Sequence, residues 1–384
     1  MSDANAPTVG RKVRDPWLDN ARFLAATLIL VVHFAKQVPG DSTTIDLLNY
    51  ATWPMRVPLY ALVAGFFSSA APLEGRRAVA LLRNVLFVYL AFELLATAHK
   101  WALTGVLAFN PAEPSFALWF LLALFLLRVT LPLVANLRFL LPVAVAASAV
   151  ACLVPSLGAD LAAARTIGFW PVFLVGWKLK QVGLHRVLGA GWVRFVAAAV
   201  LLAWAAFCYV QMDTFEARWF SMRKHHSGTM AEELSEALVR LGLVTVAVLG
   251  ALSLLALVPR RRLWAVTYLG SGSLYVYLLH PFVLREVERT DYFESVDSLA
   301  EILLLLVAGA VLACVLASPP VRRALRWLVQ PRYTWPFVTA GAPAAAIVEV
   351  RPSVVDAVAS AATSATPSPA GSRADRASDQ PSAR

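Results

Sequence analysis

Two ionisable side chains stand near the start of the chain in a stretch that is otherwise almost wholly apolar: Arg22 and His33, eleven residues apart. Eleven helical steps of 100° return to within about 20° of the starting direction after three turns. On a helix the two therefore share one face, roughly 16 Å apart along the axis. A guanidinium is a permanent cation that matches phosphate and carboxylate geometry, and an imidazole exchanges its proton near neutral pH. The pair places a fixed cation at one end of a helical face and a titratable base at the other. Asp19, three residues before Arg22, either pairs with it or contacts a substrate. Further ionisable residues in apolar surroundings are Arg56, Glu93, Arg128, Arg240 and His280. Arg128 and Arg240 lie near the ends of their apolar runs, where a long side chain reaches water. Glu93 is available to neutralise Arg56, to orient His33 or to pair elsewhere. His280 begins a His-Pro step, which marks a helix end or kink. His225 and His226 sit beside Arg223 and Lys224 in a polar loop, and His99 and His185 lie at run ends; none of these is assigned a role. The three cysteines share no metal-ligand spacing, so no metal is expected, and neither a phosphate-cradling glycine motif nor a Gly-x-Ser-x-Gly elbow is present.

The elements that hold these residues follow from composition. Of 384 residues, 59% are hydrophobic and 15% charged, against roughly 45 to 50% and about 25% in soluble proteins. The apolar excess comes in blocks of membrane-spanning length, for which about 20 residues suffice. Ten blocks qualify: 18–38, 47–71, 81–105, 116–135, 137–157, 166–184, 192–212, 236–258, 263–282 and 299–318. The expected fold is all-α, a polytopic bundle of about ten spans in the cell membrane. The net charge of +10 is scattered between the blocks instead of gathered on one polar domain, which argues against a nucleic-acid partner. With an inside N-terminus, eighteen Lys and Arg fall in inner segments and eight in outer ones. That is the positive-inside asymmetry, and it puts both termini in the cytoplasm, Arg22 near the inner face and His33 near the outer. Residues 1–16 read as a cytoplasmic N-terminal segment and 17–338 as the membrane domain. Residues 339–384, rich in Ala, Ser and Pro, read as a disordered cytoplasmic tail.

The run from Trp17 to Ala25 followed by His33 resembles the arginine, ten residues, histidine motif of the membrane acyltransferase 3 family, in particular its fucose 4-O-acetylase-like branch. Three later segments resemble that branch in the expected order: 118–125 with its Trp-Phe-Leu, 169–177 with its Pro-Val-Phe-Leu-Val-Gly, and 273–281 with its Ser-Leu-Tyr-Val-Tyr-Leu-Leu-His-Pro. The second block departs, reading Met55-Arg56-Val57-Pro58-Leu59-Tyr60 where relatives carry a histidine, and the loop after it has Arg76, Arg77 and Arg83 instead of an arginine pair three apart. The resemblance implies acyl transfer, usually of acetyl from acetyl-CoA, to a hydroxyl of a carbohydrate or a lipid-linked acceptor. On it, His33 is the general base or a transient acyl carrier, and Arg22 meets the CoA phosphates. Arg56 extends that binding or stabilises the oxyanion, and Arg83 joins the donor-binding set. His280 belongs to the helix end, to the acceptor site or to a second acid/base role. A transporter or flippase with a polar path through the membrane is the alternative.

Overall fold

The computed structural model describes residues 15–154, 157, 160–222 and 229–333. His225, His226, nearly all of the N-terminal segment and the whole of the 339–384 tail lie outside them. Every regular element among the described residues is helical. The principal helices are α1 (Pro16–Ala35), α2 (Thr43–Thr52), α3 (Val57–Phe66), α4 (Gly75–Thr104), α5 (Trp119–Val134) and α6 (Leu140–Ala151). They are followed by α7 (Ala163–Val182), α8 (Gly191–Gln211), α9 (Met230–Leu257), α10 (Trp264–Gly270), α11 (Ser273–Val287) and α12 (Leu299–Leu316). By length and composition six are able to cross a membrane: α1, α4, α5, α8, α9 and α12, with α5 and α8 extended by short turns.

The other four blocks are helical but shorter, broken or more polar, for reasons visible in their residues. The second is split into α2 and α3 at Arg56, whose backbone leaves the helical region (φ −96°, ψ −106°). Pro54 and Pro58 flank the break, and each removes a backbone donor. The ninth is split into α10 and α11 between Gly270 and Ser273. Such breaks persist at membrane depth only where protein covers them, and Trp53, Pro54, Arg56 and Pro58 are all buried. The fifth block forms only the twelve residues of α6. The sixth, α7, has twenty residues but carries Arg165, Lys178 and Lys180.

Helix α1 is central. Pro16 occupies its first turn, where a missing N–H costs nothing, and the Asp15 carboxylate accepts from the Trp17 backbone. Its N-terminal end is tied to the end of α9, the chain that follows it and α10: Trp17 Nε1 donates to the Leu255 carbonyl at 2.7 Å, Asn20 Nδ2 donates to the carbonyls of Pro259 and Arg261, and Thr267 Oγ1 donates to Asn20 Oδ1 at 2.6 Å. Helices α3 and α7 cross closely enough to need two glycines. A Cβ on Gly65 would stand 1.8 Å from the Phe173 carbonyl oxygen, and one on Gly176 would stand 1.8 Å from that of Leu62. Small residues at helix crossings are the usual solution where no hydrophobic drive joins helices in lipid. Helix α8 is peripheral and leaves Phe195, Leu202, Phe207 and Val210 exposed, a surface suited to lipid.

Candidate active site

His33, near the C-terminal end of α1, meets His280 of α11, with His33 Nδ1 and His280 Nε2 3.0 Å apart. His280 Nδ1 lies 3.0 Å from the Val276 carbonyl. A carbonyl only accepts, so in the neutral ring the proton of His280 sits on Nδ1 and its Nε2 is a lone pair. That lone pair accepts from His33 Nδ1–H, leaving the Nε2 of His33 as the basic nitrogen. The His-Pro step thus belongs to a relay that sets the tautomer of His33. His280 has no exposed surface, whereas His33 is half-buried and lines a cavity.

That cavity encloses about 250 Å³. Besides His33 its walls carry three cations, Lys36, Arg56 and Arg165, and four aromatic side chains, Trp53, Trp119, Phe169 and Phe220. Among the described residues no acidic side chain lines it. The turn between α2 and α3 delivers Arg56 to the interior, where its Nη2 donates to Asn49 Oδ1 at 3.0 Å and to the Asn49 carbonyl at 2.7 Å. The Nε of Arg56 is buried without a hydrogen-bond acceptor. Arg165 lies with its guanidinium carbon 4.5 Å from the Trp119 ring centroid, and Trp119 stacks on Phe169 at 5.7 Å. Lys36 is 3.9 Å from Asp46.

Arg22 opens on a different cavity, of about 240 Å³, whose walls include Tyr60, Asn84, Phe120, Arg128, Ser273 and Tyr277. Arg22 is ion-paired with Asp19 and lies 5.6 Å from the Phe67 ring. Arg128 Nε donates to Ser68 Oγ at 3.3 Å. The two cavities are separated by a triangle of rings, Tyr60, Phe120 and Tyr277, with centroids 6.1 to 6.4 Å apart. The triangle is anchored on both sides: Tyr60 donates to the Arg22 carbonyl at 2.9 Å, and Tyr277 donates to that of Ala117. Tyr277 lies 6.3 Å from the His280 ring.

The structure therefore brings His33, His280 and Arg56 together and sets Arg22 with Asp19 on the far side of the ring triangle. Arg83 sits in a π turn of α4 and bonds Asn84, at the edge of the Arg22 cavity and away from Arg56. Glu93 neither pairs with Arg56 nor touches His33. Its two oxygens accept from the backbone N–H and the hydroxyl of Ser115, at 2.9 and 2.5 Å. The next residue, Phe116, is held in the left-handed backbone region at φ +36° with its ring 5.1 Å from His33. Glu93 thus reaches the base indirectly, through a strained loop. His99 pairs with Glu286, and His185 lies against Trp17. Two cavity cations, Lys36 and Arg165, did not stand out in the sequence because both sit at the polar ends of apolar blocks. Lys36 follows His33 by three residues, the spacing of helical neighbours, and that was the one available signal. Among the described residues no group of three or more His, Cys, Asp or Glu side chains is arranged to hold a metal ion.

Residues 15–318 match a family described as an acyltransferase domain, that of acyltransferase 3. No curated protein and no solved structure matches the chain. The matched span contains Arg22, His33, Arg56, Arg165 and His280, that is, both cavities and the relay between them. The chain belongs to the acyltransferase 3 family and is a membrane acyltransferase.

Proposed function

We propose that the protein moves an acetyl group from acetyl-CoA to a hydroxyl of a sugar or related acceptor, as in the fucose 4-O-acetylase-like branch, with His33 as the general base. The observation that carries this reading is the relay from Val276 through His280 to His33, which leaves Nε2 as the basic nitrogen of a histidine that lines a cavity. A neutral imidazole so held takes the acceptor's hydroxyl proton as the oxygen forms its bond to the thioester carbon. The C–S bond then breaks, and the proton passes from His33 to the CoA sulfur. An acyl-His33 intermediate would use the same nitrogen as the nucleophile.

The Arg22 cavity suits the donor. Arg22 and Arg128 line it, and guanidinium groups match the phosphates of CoA; Arg83 stands near its edge. Arg56 faces the His33 cavity, which favours a role on the acceptor side over one in phosphate binding. With ten crossings and both termini in the cytoplasm, the donor enters from inside and the acceptor meets His33 towards the outer face of the cell membrane. The ring triangle then marks the passage that the thioester end must cross.

The test is acceptor-dependent CoA release by the purified full-length protein in lipid nanodiscs. His33→Ala is expected to lower it by about 10² to 10⁴, the usual contribution of a general base. Wild-type protein that takes up a sugar into vesicles without releasing CoA would support a transporter and overturn this reading.

A further inference from the structure

We propose that a groove between α10 and the C-terminal end of α12 holds one anionic phospholipid, its headgroup phosphate on Arg262 and Arg322 and its chains along α12. The groove encloses about 760 Å³ and is lined by Arg262, Trp264, Ala265, Tyr268, Leu269 and Cys314. It shares no lining residue with the His33 and Arg22 cavities. It lies where an apolar span gives way to charge. Helix α12 ends at Leu316, two residues past Cys314, and the short helix Pro319–Ala324 follows with Arg322 and Arg323. Arg322 borders the groove at Tyr268: its guanidinium carbon is 5.4 Å from the ring centroid, and its Nη1 donates to the Tyr268 carbonyl at 3.4 Å. On the opposite wall Arg262 stands two residues before Trp264, the first residue of α10.

Charge selects the occupant. Residues 259–285 hold Arg260, Arg261, Arg262 and Arg285, and residues 302–333 hold Arg322, Arg323, Arg326 and Arg332, with no Asp or Glu in either stretch. Arg260 is turned inward, onto the Leu188 and Gly189 carbonyls and the Trp17 ring. Arg261, Arg262, Arg323 and Arg326 are exposed. A basic cluster of this size at the end of a span attracts anionic headgroups, and a guanidinium matches their phosphodiester. Trp264 is 93% exposed and Tyr268 52%, as suits rings that rest at headgroup level with their apolar bodies among the chains. Further along, α12 exposes Val307, Val311 and Val315, four residues apart and so on one face, an apolar track for a chain. The rest of the protein supplies no counter-charge. Residues 334–384 carry four acidic and four basic side chains, and residues 1–14 carry one acidic and three basic. A second copy docked through the same face would set arginine against arginine.

The reporter is already present. Of the three cysteines, Cys152 and Cys208 are buried and Cys314 is exposed, so alkylation by N-ethylmaleimide reads the groove. Full-length protein in detergent micelles is titrated near neutral pH and low salt with dioctanoyl phosphatidylglycerol, dioctanoyl phosphatidylcholine, inorganic phosphate or CoA. Cys314 alkylation reports occupancy, and native mass spectrometry counts the lipid retained. Phosphatidylglycerol is expected to slow alkylation at a concentration about tenfold or more below that of phosphatidylcholine, from two arginines worth about fivefold each, and to be retained as a single copy. Arg262→Gln with Arg322→Gln is expected to remove most of the preference, and the matching lysine pair to keep part of it, which guards against a variant that fails to fold. Arg138→Gln, an exposed arginine outside the groove, is expected to leave the preference in place. Equal protection by the two lipids, or protection by neither, overturns the inference. So does protection by phosphate or CoA at the concentrations where phosphatidylglycerol acts, which would make this a site for free phosphates. Cys314 that is unreactive before any lipid is added would show the groove already covered by the chain, and overturns it as well.

Discussion

Substitution of His280 tests the relay proposed to hold His33 as the base. In His280→Ala the acceptor of the His33 Nδ1–H proton is gone, so the His33 ring loses both its fixed orientation and its tautomer preference. The hydrogen bond alone is worth about 0.5 to 1.5 kcal/mol, up to roughly tenfold in rate at about 1.4 kcal/mol per decade. Loss of the tautomer bias adds to this, so kcat is expected to fall by about 10- to 100-fold, as when the partner that orients a working histidine is removed. The KM for acetyl-CoA should change little, because the cavity proposed for the donor lies on the other side of Tyr60, Phe120 and Tyr277. His280→Gln offers a carbonyl oxygen near the position of the lost Nε2 and should recover part of kcat. Both variants need a thermal melt beside the kinetics, since His280 has no exposed surface and truncation there leaves a void. A well-folded His280→Ala enzyme with wild-type kcat would refute the relay. So would a His280→Gln enzyme no better than the alanine variant, since the lone pair would then not be what matters.

Three other expectations follow from particular contacts. Gly176→Ala puts a methyl group 1.8 Å from the Leu62 carbonyl oxygen, a backbone atom that yields only if α3 and α7 part; a loss of at least about 1 to 3 kcal/mol should appear as a lowered melting temperature. Gly242→Ala, with nothing within 4 Å of the added carbon, is the control and should be neutral or stabilising. Glu93→Gln keeps one of the two acceptors that hold Ser115 and should lower kcat several-fold by loosening Phe116 over His33, with Ser115→Ala milder; unchanged kcat in both would dismiss the indirect role. Cysteines at Asp213 and at Arg261 test the orientation: an impermeant maleimide should label the first on intact cells and the second only after permeabilisation, and the reverse pattern would invert the assignment of the two cavities.

Much of α1 was readable from its residues. The eleven-residue spacing of Arg22 and His33 and the apolar length are local properties, and a helix of fixed pitch turns them into one face and one span. The breaks at Arg56 and between Gly270 and Ser273 also have local causes, in flanking prolines and glycines, although a count of apolar residues runs straight through them. Six of the ten blocks are long and apolar enough by themselves. The other four are short, broken or more polar, and of these the break at Arg56 is covered by protein.

Composition and spacing alone determined that this is an all-helical membrane chain with a base and a cation on one helical face, because hydropathy and helical period need no knowledge of neighbours. Only the tertiary structure decided what those two residues face. Arg22 and His33 share α1, yet Tyr60, Phe120 and Tyr277, from three other helices, put them in separate cavities. His280 arrives from α11 to fix the tautomer, Arg56 from a break and Arg165 from α7 to charge the cavity, and Glu93 is spent on Ser115. Each of these is a meeting of side chains far apart in the chain, set by how helices cross, and no local pattern records it.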